Sequence, residues 1–147
     1  MRSFKTLIVE DNSLFRQTIL NILESQFPSM IIEEAPDGKT ALRMIENSPP
    51  DLIFMDIKLP GENGLHLTEY IKKKHPQVIV VVLTSYDWPE YRDAAFKFGA
   101  NYFIMKGFAA HREILDLIES ILAKSGFGPD GAKNNGPPPE GVRNPEE

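Results

Sequence analysis

Cysteine is absent from this chain of 147 residues, which excludes disulfides, thiolate metal sites and cysteine nucleophiles. That absence fits a reducing cytoplasm, where the protein is expected to act. Long apolar runs are missing too. The basic residues near the N-terminus lead into only three apolar ones, Leu7 to Val9, far short of a signal peptide or a membrane span. Nor is there an excess of basic charge. The net charge of −5 argues against a nucleic-acid-binding surface on this chain, so any DNA contact would have to come from elsewhere. What remains is an ordinary globular composition, 41% hydrophobic and 25% charged, at a length that suits one domain without a metal staple.

Short apolar runs alternate with longer segments of helical period between Phe4 and Lys124, the pattern of a parallel sheet covered on both faces. Five strand-then-helix repeats fit. Thr6 to Val9, Met30 to Ala35, Leu52 to Met55, Val78 to Leu83 and Tyr102 to Met105 are the predicted strands, and the unbroken Val78 to Leu83 run requires burial on both sides. Phe15, Ile19, Ile22 and Leu23 make the apolar stripe of the first helix, and Ile114, Leu117, Ile118, Ile121 and Leu122 that of the last. Leu115 falls outside that stripe and is available for a dimer seam. Asp37 caps a helix ending near Asn47, Asp87 and Glu90 form a capping-box-like start for another, and Gly99 closes it. The domain is expected to span residues 1–124. From Ser125 the periodicity stops, and residues 125–147, with Pro137 to Pro139 among glycines and asparagines, read as a disordered tail or linker.

Five polar residues sit at or just past predicted strand ends: Glu10, Asp11, Asp56, Thr84 and Lys106. Parallel sheets place ligands in the crevice outside the carboxyl ends of their strands. Three carboxylates there suit Mg²⁺, which takes one or two carboxylates with water and phosphate oxygens, while Glu10 can act through water. Asp56, emerging from four apolar residues onto the turn Lys58 to Gly61, is placed to attack phosphorus and hold an aspartyl phosphate. Lys106 would neutralise charge and the Thr84 hydroxyl would donate to a phosphoryl oxygen. Each residue alone has a plainer reading: Asp11 or Asn12 as a helix cap, Thr84 as a cap, Lys106 as a surface lysine. Joint occurrence at four strand ends in order favours the site.

The stretches Leu7-Ile8-Val9-Glu10-Asp11-Asn12, Asp51 to Gly61 with Asn63-Gly64 after it, Leu83-Thr84-Ser85 and Gly99 to Lys106 resemble the receiver domain of bacterial two-component response regulators. The resemblance covers about residues 4–124. It implies a flavodoxin-like (βα)5 doubly wound α/β fold with a five-stranded parallel sheet in the order 2-1-3-4-5, an order taken from the family and not from the residues. It further implies that Asp56 accepts a phosphoryl group from a histidine kinase or phosphotransfer protein. Mg²⁺ would be held by Asp11, Asp56, the backbone carbonyl of Lys58 and, through water, Glu10. Lys106, Thr84 and Ser85 would bind the phosphoryl group, and Phe103 would turn inward as Thr84 moves. The face of the fourth helix, fifth strand and fifth helix would then change, for partner binding or for a homodimer through the fourth and fifth helices.

Lys58 and Tyr86 occupy positions that tune phosphate lifetime in this family, and Gly107 stands where many of its members carry a proline, often with a cis peptide bond. Such a chain is a switch and not an enzyme, catalysing only its own phosphotransfer and dephosphorylation. It needs no small-molecule substrate beyond a phosphodonor. The alternatives are the receiver part of a truncated NarL-type DNA-binding regulator, or a degenerate receiver that never takes phosphate. A haloacid-dehalogenase-type phosphatase is disfavoured, because Lys58 stands where that family needs a second acid. His66, His75 and His111 lack metal-ligand spacing and read as surface residues.

Overall fold

The computed structural model describes residues 2–85 and 88–133. Tyr86 and Asp87 therefore lie outside the described residues, as does the tail from residue 134. The elements in chain order are β1 (Lys5–Val9), α1 (Ser13–Gln26), β2 (Ile31–Ala35), α2 (Gly38–Asn47), β3 (Leu52–Met55), β4 (Lys58–Leu59), β5 (Glu62–Asn63), α3 (Gly64–Lys74), β6 (Ile79–Thr84), α4 (Pro89–Lys97), β7 (Tyr102–Met105) and α5 (Ala110–Lys124).

Five strands form one parallel sheet in the order β2-β1-β3-β6-β7. Once the small hairpin is set aside, this is the expected 2-1-3-4-5 order. Period-two alternation divides the apolar side chains between two layers. Ile8, Phe54, Val81 and Leu83 join α1 and α5 in one cluster. Leu7, Val9, Ile53, Met55, Val80 and Val82 face the opposite cluster, with residues of α2, α3 and α4. Because both faces are covered, the inner strands need apolar residues at successive positions, whereas the edge strand β2 admits Glu33 and Glu34.

Helix starts follow local chemistry. Asn12 caps α1 by accepting from Phe15 N at 3.0 Å, Asp37 caps α2 from Thr40 N at 2.7 Å, and Asn63 caps α3 from Leu65 N at 2.7 Å. In α4 the cap position is Trp88, without a side-chain bond, and Pro89 opens the helix. Gly99, at φ +104°, ends that helix by donating to Phe96 O at 3.0 Å.

Three expectations are corrected. Met30 and Val78 precede their strands, and β6 extends to include Thr84. Leu115 is buried in the α1–α5 cluster, so it is a core residue and no seam. The chain does not leave the domain at Ser125. Residues 126–133 lie as a strap across the N-terminal ends of the strands, where Gly131 O accepts from Phe4 N at 2.8 Å and Lys133 N donates to Arg2 O at 2.9 Å. Phe127 is buried edge-on against Phe4, centroids 5.2 Å apart, and Asp130 accepts from the Ser29 hydroxyl at 2.9 Å. Phe127 was visible in the sequence as an apolar residue, but a single one carries no periodicity. The antiparallel hairpin of β4 and β5 also escaped sequence reasoning, being two residues per strand.

Candidate functional site

Backbone bonds that continue the ladder one residue past the strands fix the floor of the site. Glu10 N donates to Ala35 O at 3.1 Å, Asp56 N to Val9 O at 3.1 Å and Lys106 N to Thr84 O at 2.8 Å. Glu10, Asp56, Thr84 and Lys106 are thereby held in neighbouring rows at the carboxyl edge of the sheet.

Side chains then converge. The Lys106 ammonium lies 2.5 Å from Glu10 Oε1 and 3.2 Å from Asp56 Oδ2. Glu10 and Asp56 are only 2% and 6% exposed, whereas Asp11 is exposed at the rim. Carboxylate oxygens of all three acids lie within 4.8 Å of one another. An all-oxygen set of this charge fits a hard divalent cation. Burial pushes Glu10 up to about 7, against the lowering pull of the Lys106 and Asn12 N hydrogen bonds, and the neighbouring Asp56 charge raises it further. Binding a cation there favours its ionised form.

Supporting groups lock the acids. Ile57 N donates to Asp56 Oδ1 at 2.8 Å, and Asn12 N to Glu10 Oε2 at 3.0 Å. The Phe15 ring lies 4.5 Å from the Lys106 ammonium, a cation–π contact that holds the lysine over the acids. Arg16 Nη1 donates to the Glu10 carbonyl at 2.6 Å. Gly64 packs so closely that a Cβ there would sit 1.8 Å from Asp56 O. Phe15, Arg16 and Gly64 were not singled out from the sequence for these contacts. The Asn63-Gly64 pair was the only local signal, and it reads as a helix start.

The remaining predicted residues lie around this centre. Lys58 is exposed on β4, its register partner being Asn63 of β5, and Ser85 is exposed just after β6. Phe103 on β7 is buried beside Val82, with the Arg92 guanidinium 4.8 Å from its ring. Arg92, Phe96, Phe103, Glu113 and Leu117 line a cavity of about 420 Å³ between α4 and α5. Trp88 is exposed and stacks on Tyr91, centroids 6.1 Å apart. His66 and His111 are exposed, as expected, and His75 is half-buried. The described residues contain no cis peptide bond, and Gly107 is exposed.

Fold and site together define a doubly wound α/β protein with an acidic, lysine-bridged crevice at its strand ends. The sequence pattern of the response regulator receiver domain matches residues 6–127, and the chain belongs to that family. It is 32% identical to the chemotaxis protein CheY of Halobacterium salinarum, over 80% of this chain and 96% of that protein. It is 32% identical to the transcriptional regulatory protein DegU of Brevibacillus brevis, over 68% of this chain but 42% of that protein. The chain thus spans less than half the length of that transcriptional regulator. Among solved structures, a CheY-like receiver domain protein from Methanospirillum hungatei superposes with a TM-score of 0.76 at 30% identity, covering 84% of this chain and 96% of that one. Among the described residues no helix is long and apolar enough to cross a membrane.

Proposed function

We propose that this chain is a phosphorylation-operated switch of a two-component system, with Asp56 as the phosphoacceptor. The observation that carries the reading is the Lys106 ammonium bridging Glu10 and Asp56, with Asp11 in the same cluster. The Ile57 amide orients Asp56 and the lysine pairs with it, and in this reading the Asp56 carboxylate is the nucleophile. In the transfer, an Asp56 oxygen bonds to the phosphorus of a phosphohistidine while the P–N bond breaks, and the imidazole nitrogen keeps the bonding pair. Lys106 then pairs with the phosphoryl oxygens. Glu10, Asp11, Asp56 and the Lys58 carbonyl would hold Mg²⁺, which supplies charge neutralisation on the transferring group.

Thr84 and Ser85 bind the phosphoryl group in this reading, and Phe103 follows Thr84. Its position between β6 and the α4–α5 cavity supports a coupling from the site to that face. The face then binds a partner or a second copy through α4 and α5. Lys58 and Tyr86 set the lifetime of the phosphate, and the donor is a histidine kinase or phosphotransfer protein in the cytoplasm. The chain itself turns over no outside substrate and contacts neither nucleic acid nor membrane. A second reading, the receiver part of a DNA-binding regulator, draws support from the partial coverage of DegU.

The test is labelling with a small phosphodonor and Mg²⁺. Wild type should incorporate phosphate and Asp56→Asn should not. Equal labelling of the two removes the assignment.

A further inference from the structure

Two of the three acids are oriented through their own side chains. Glu10 is bonded to Lys106 and Asn12 N, and Asp56 to Ile57 N and Lys106. Asp11 is exposed, and its position depends on the backbone it leaves from. That backbone is held by Arg16. Four residues after the cap Asn12, Arg16 closes the first turn of α1 with its own N–H on Asn12 O at 2.9 Å. Helical side chains lean toward the N-terminus. The guanidinium accordingly reaches back, with Nη1 donating to Glu10 O at 2.6 Å and Nε to Glu34 Oε1 on β2 at 3.1 Å.

The Glu10 carbonyl and the Asp11 N–H share one planar peptide unit. Fixing the carbonyl oxygen fixes the plane, and with it the direction in which Asp11 departs from the strand end. Glu34 holds the guanidinium from its other edge, so the planar fork cannot pivot off the carbonyl. The Arg16 side chain is 19% exposed, so water competes weakly for this bond.

We infer that Arg16, braced by Glu34, is a positioning residue for the cation site, acting through the Glu10–Asp11 peptide and touching neither cation nor phosphoryl group. The inference rests on the Mg²⁺ reading above. Its sign separates it from a simple charge effect. Arg16 carries a positive charge close to a site for a dication, so if it acted through charge alone, Arg16→Ala would tighten Mg²⁺ binding. A positioning role gives the opposite result, since losing a group that orients metal ligands weakens affinity by roughly 10- to 100-fold.

The experiment is calorimetric titration of Mg²⁺ into the full chain, without phosphodonor, for wild type, Arg16→Ala, Arg16→Lys and Glu34→Ala, each checked for folding by circular dichroism. Arg16→Ala should bind within that weakened range. Arg16→Lys should fall between it and wild type, because a lysine reaches one of the two acceptors but cannot fork them. Glu34→Ala, which keeps the arginine, should weaken binding as well, but Arg16→Lys, which keeps the charge and loses the fork, decides the matter if Arg16→Ala does not fold. Equal or tighter binding by Arg16→Ala, or by Arg16→Lys in its place, overturns the inference. Absence of Mg²⁺ binding by wild type is a different result, one that removes the metal reading on which the inference stands.

Discussion

Replacing Gly64 with alanine puts a methyl group where the main chain carrying Asp56 already lies. The added Cβ would fall 1.8 Å from Asp56 O, 2.8 Å from Asp56 C and 3.0 Å from Ile57 Cα. All three are backbone atoms, so no side chain can swing aside. Real Cβ contacts essentially never come below 3.0 Å, so the Asp56 carbonyl and the first turn of α3 must separate by about 1 Å. That movement stretches the Gly64 N to Ile57 O bond, now 2.7 Å, and pulls on the turn between Asp56 and the helix. Overpacking of this kind costs about 1–3 kcal/mol, and a weakened buried hydrogen bond about 1 more. A misplacement of about 1 Å at a reacting group lowers rate by roughly 100-fold. Gly64→Ala should therefore lose about 2–4 kcal/mol in urea denaturation and phosphorylate about two orders of magnitude more slowly from a small phosphodonor. Gly61→Ala is the control. Gly61 has a positive φ of +71° but nothing within 4 Å of its Cβ, so it should cost about 1 kcal/mol and leave the rate nearly intact. A Gly64→Ala protein with wild-type stability and rate would refute the steric argument.

Two further outcomes follow from groups at opposite ends of the sheet. Burial raises Glu10 from 4.5 to about 7, so between those values the folded protein holds a proton that the unfolded chain releases. Its contribution is present in full below pH 4.5 and lost as pH rises through 7, on the order of 3 kcal/mol at most. In Mg²⁺-free buffer the unfolding free energy should decline from pH 5 to 8, and Glu10→Gln should flatten that decline; identical slopes would contradict it. At the strap, Phe127→Ala removes a buried ring that meets Phe4 at 5.2 Å and lies 5.3 Å from the Arg2 guanidinium and 4.9 Å from the Lys133 ammonium. The loss should be about 3 kcal/mol by thermal or chemical unfolding, and a change below about 0.5 would mean the strap adds nothing to the fold.

The sheet was legible because its inner strands β1, β3 and β6 are buried on both sides. Leu52 to Met55 and Tyr102 to Met105 could be bounded to the residue, since polar chemistry begins abruptly at Asp56 and Lys106. Asp37 and Gly99 marked helix ends for equally local reasons, an Asx cap and a positive φ. The acids and the lysine could be gathered from strand-end position alone. What escaped depends on contacts between segments far apart in sequence. Gly64 is needed because α3 returns onto Asp56, and Phe15 matters only once the start of α1 meets Lys106, one residue past β7. Leu115 was misassigned because the apolar arc of α5, wedged between the sheet and α1, is wider than a strict stripe. The strap carries one large apolar residue and no period, so nothing in its own sequence indicated that it would fold back.

The strap also bears on how the chain acquires its structure. Ser3 and Ala132 form a bridge across nearly the whole length of the described chain, while most other pairings join adjacent strand-helix units. Loop-closure entropy makes such a remote contact unrewarding until the intervening sheet has assembled. It should therefore form late on the folding path, and its contribution should appear mainly as slower unfolding, with little change in the rate of folding. Residues 126–133 would thus act as a latch whose value is kinetic, lengthening the life of a fold whose strand-end site lies at the opposite edge of the sheet.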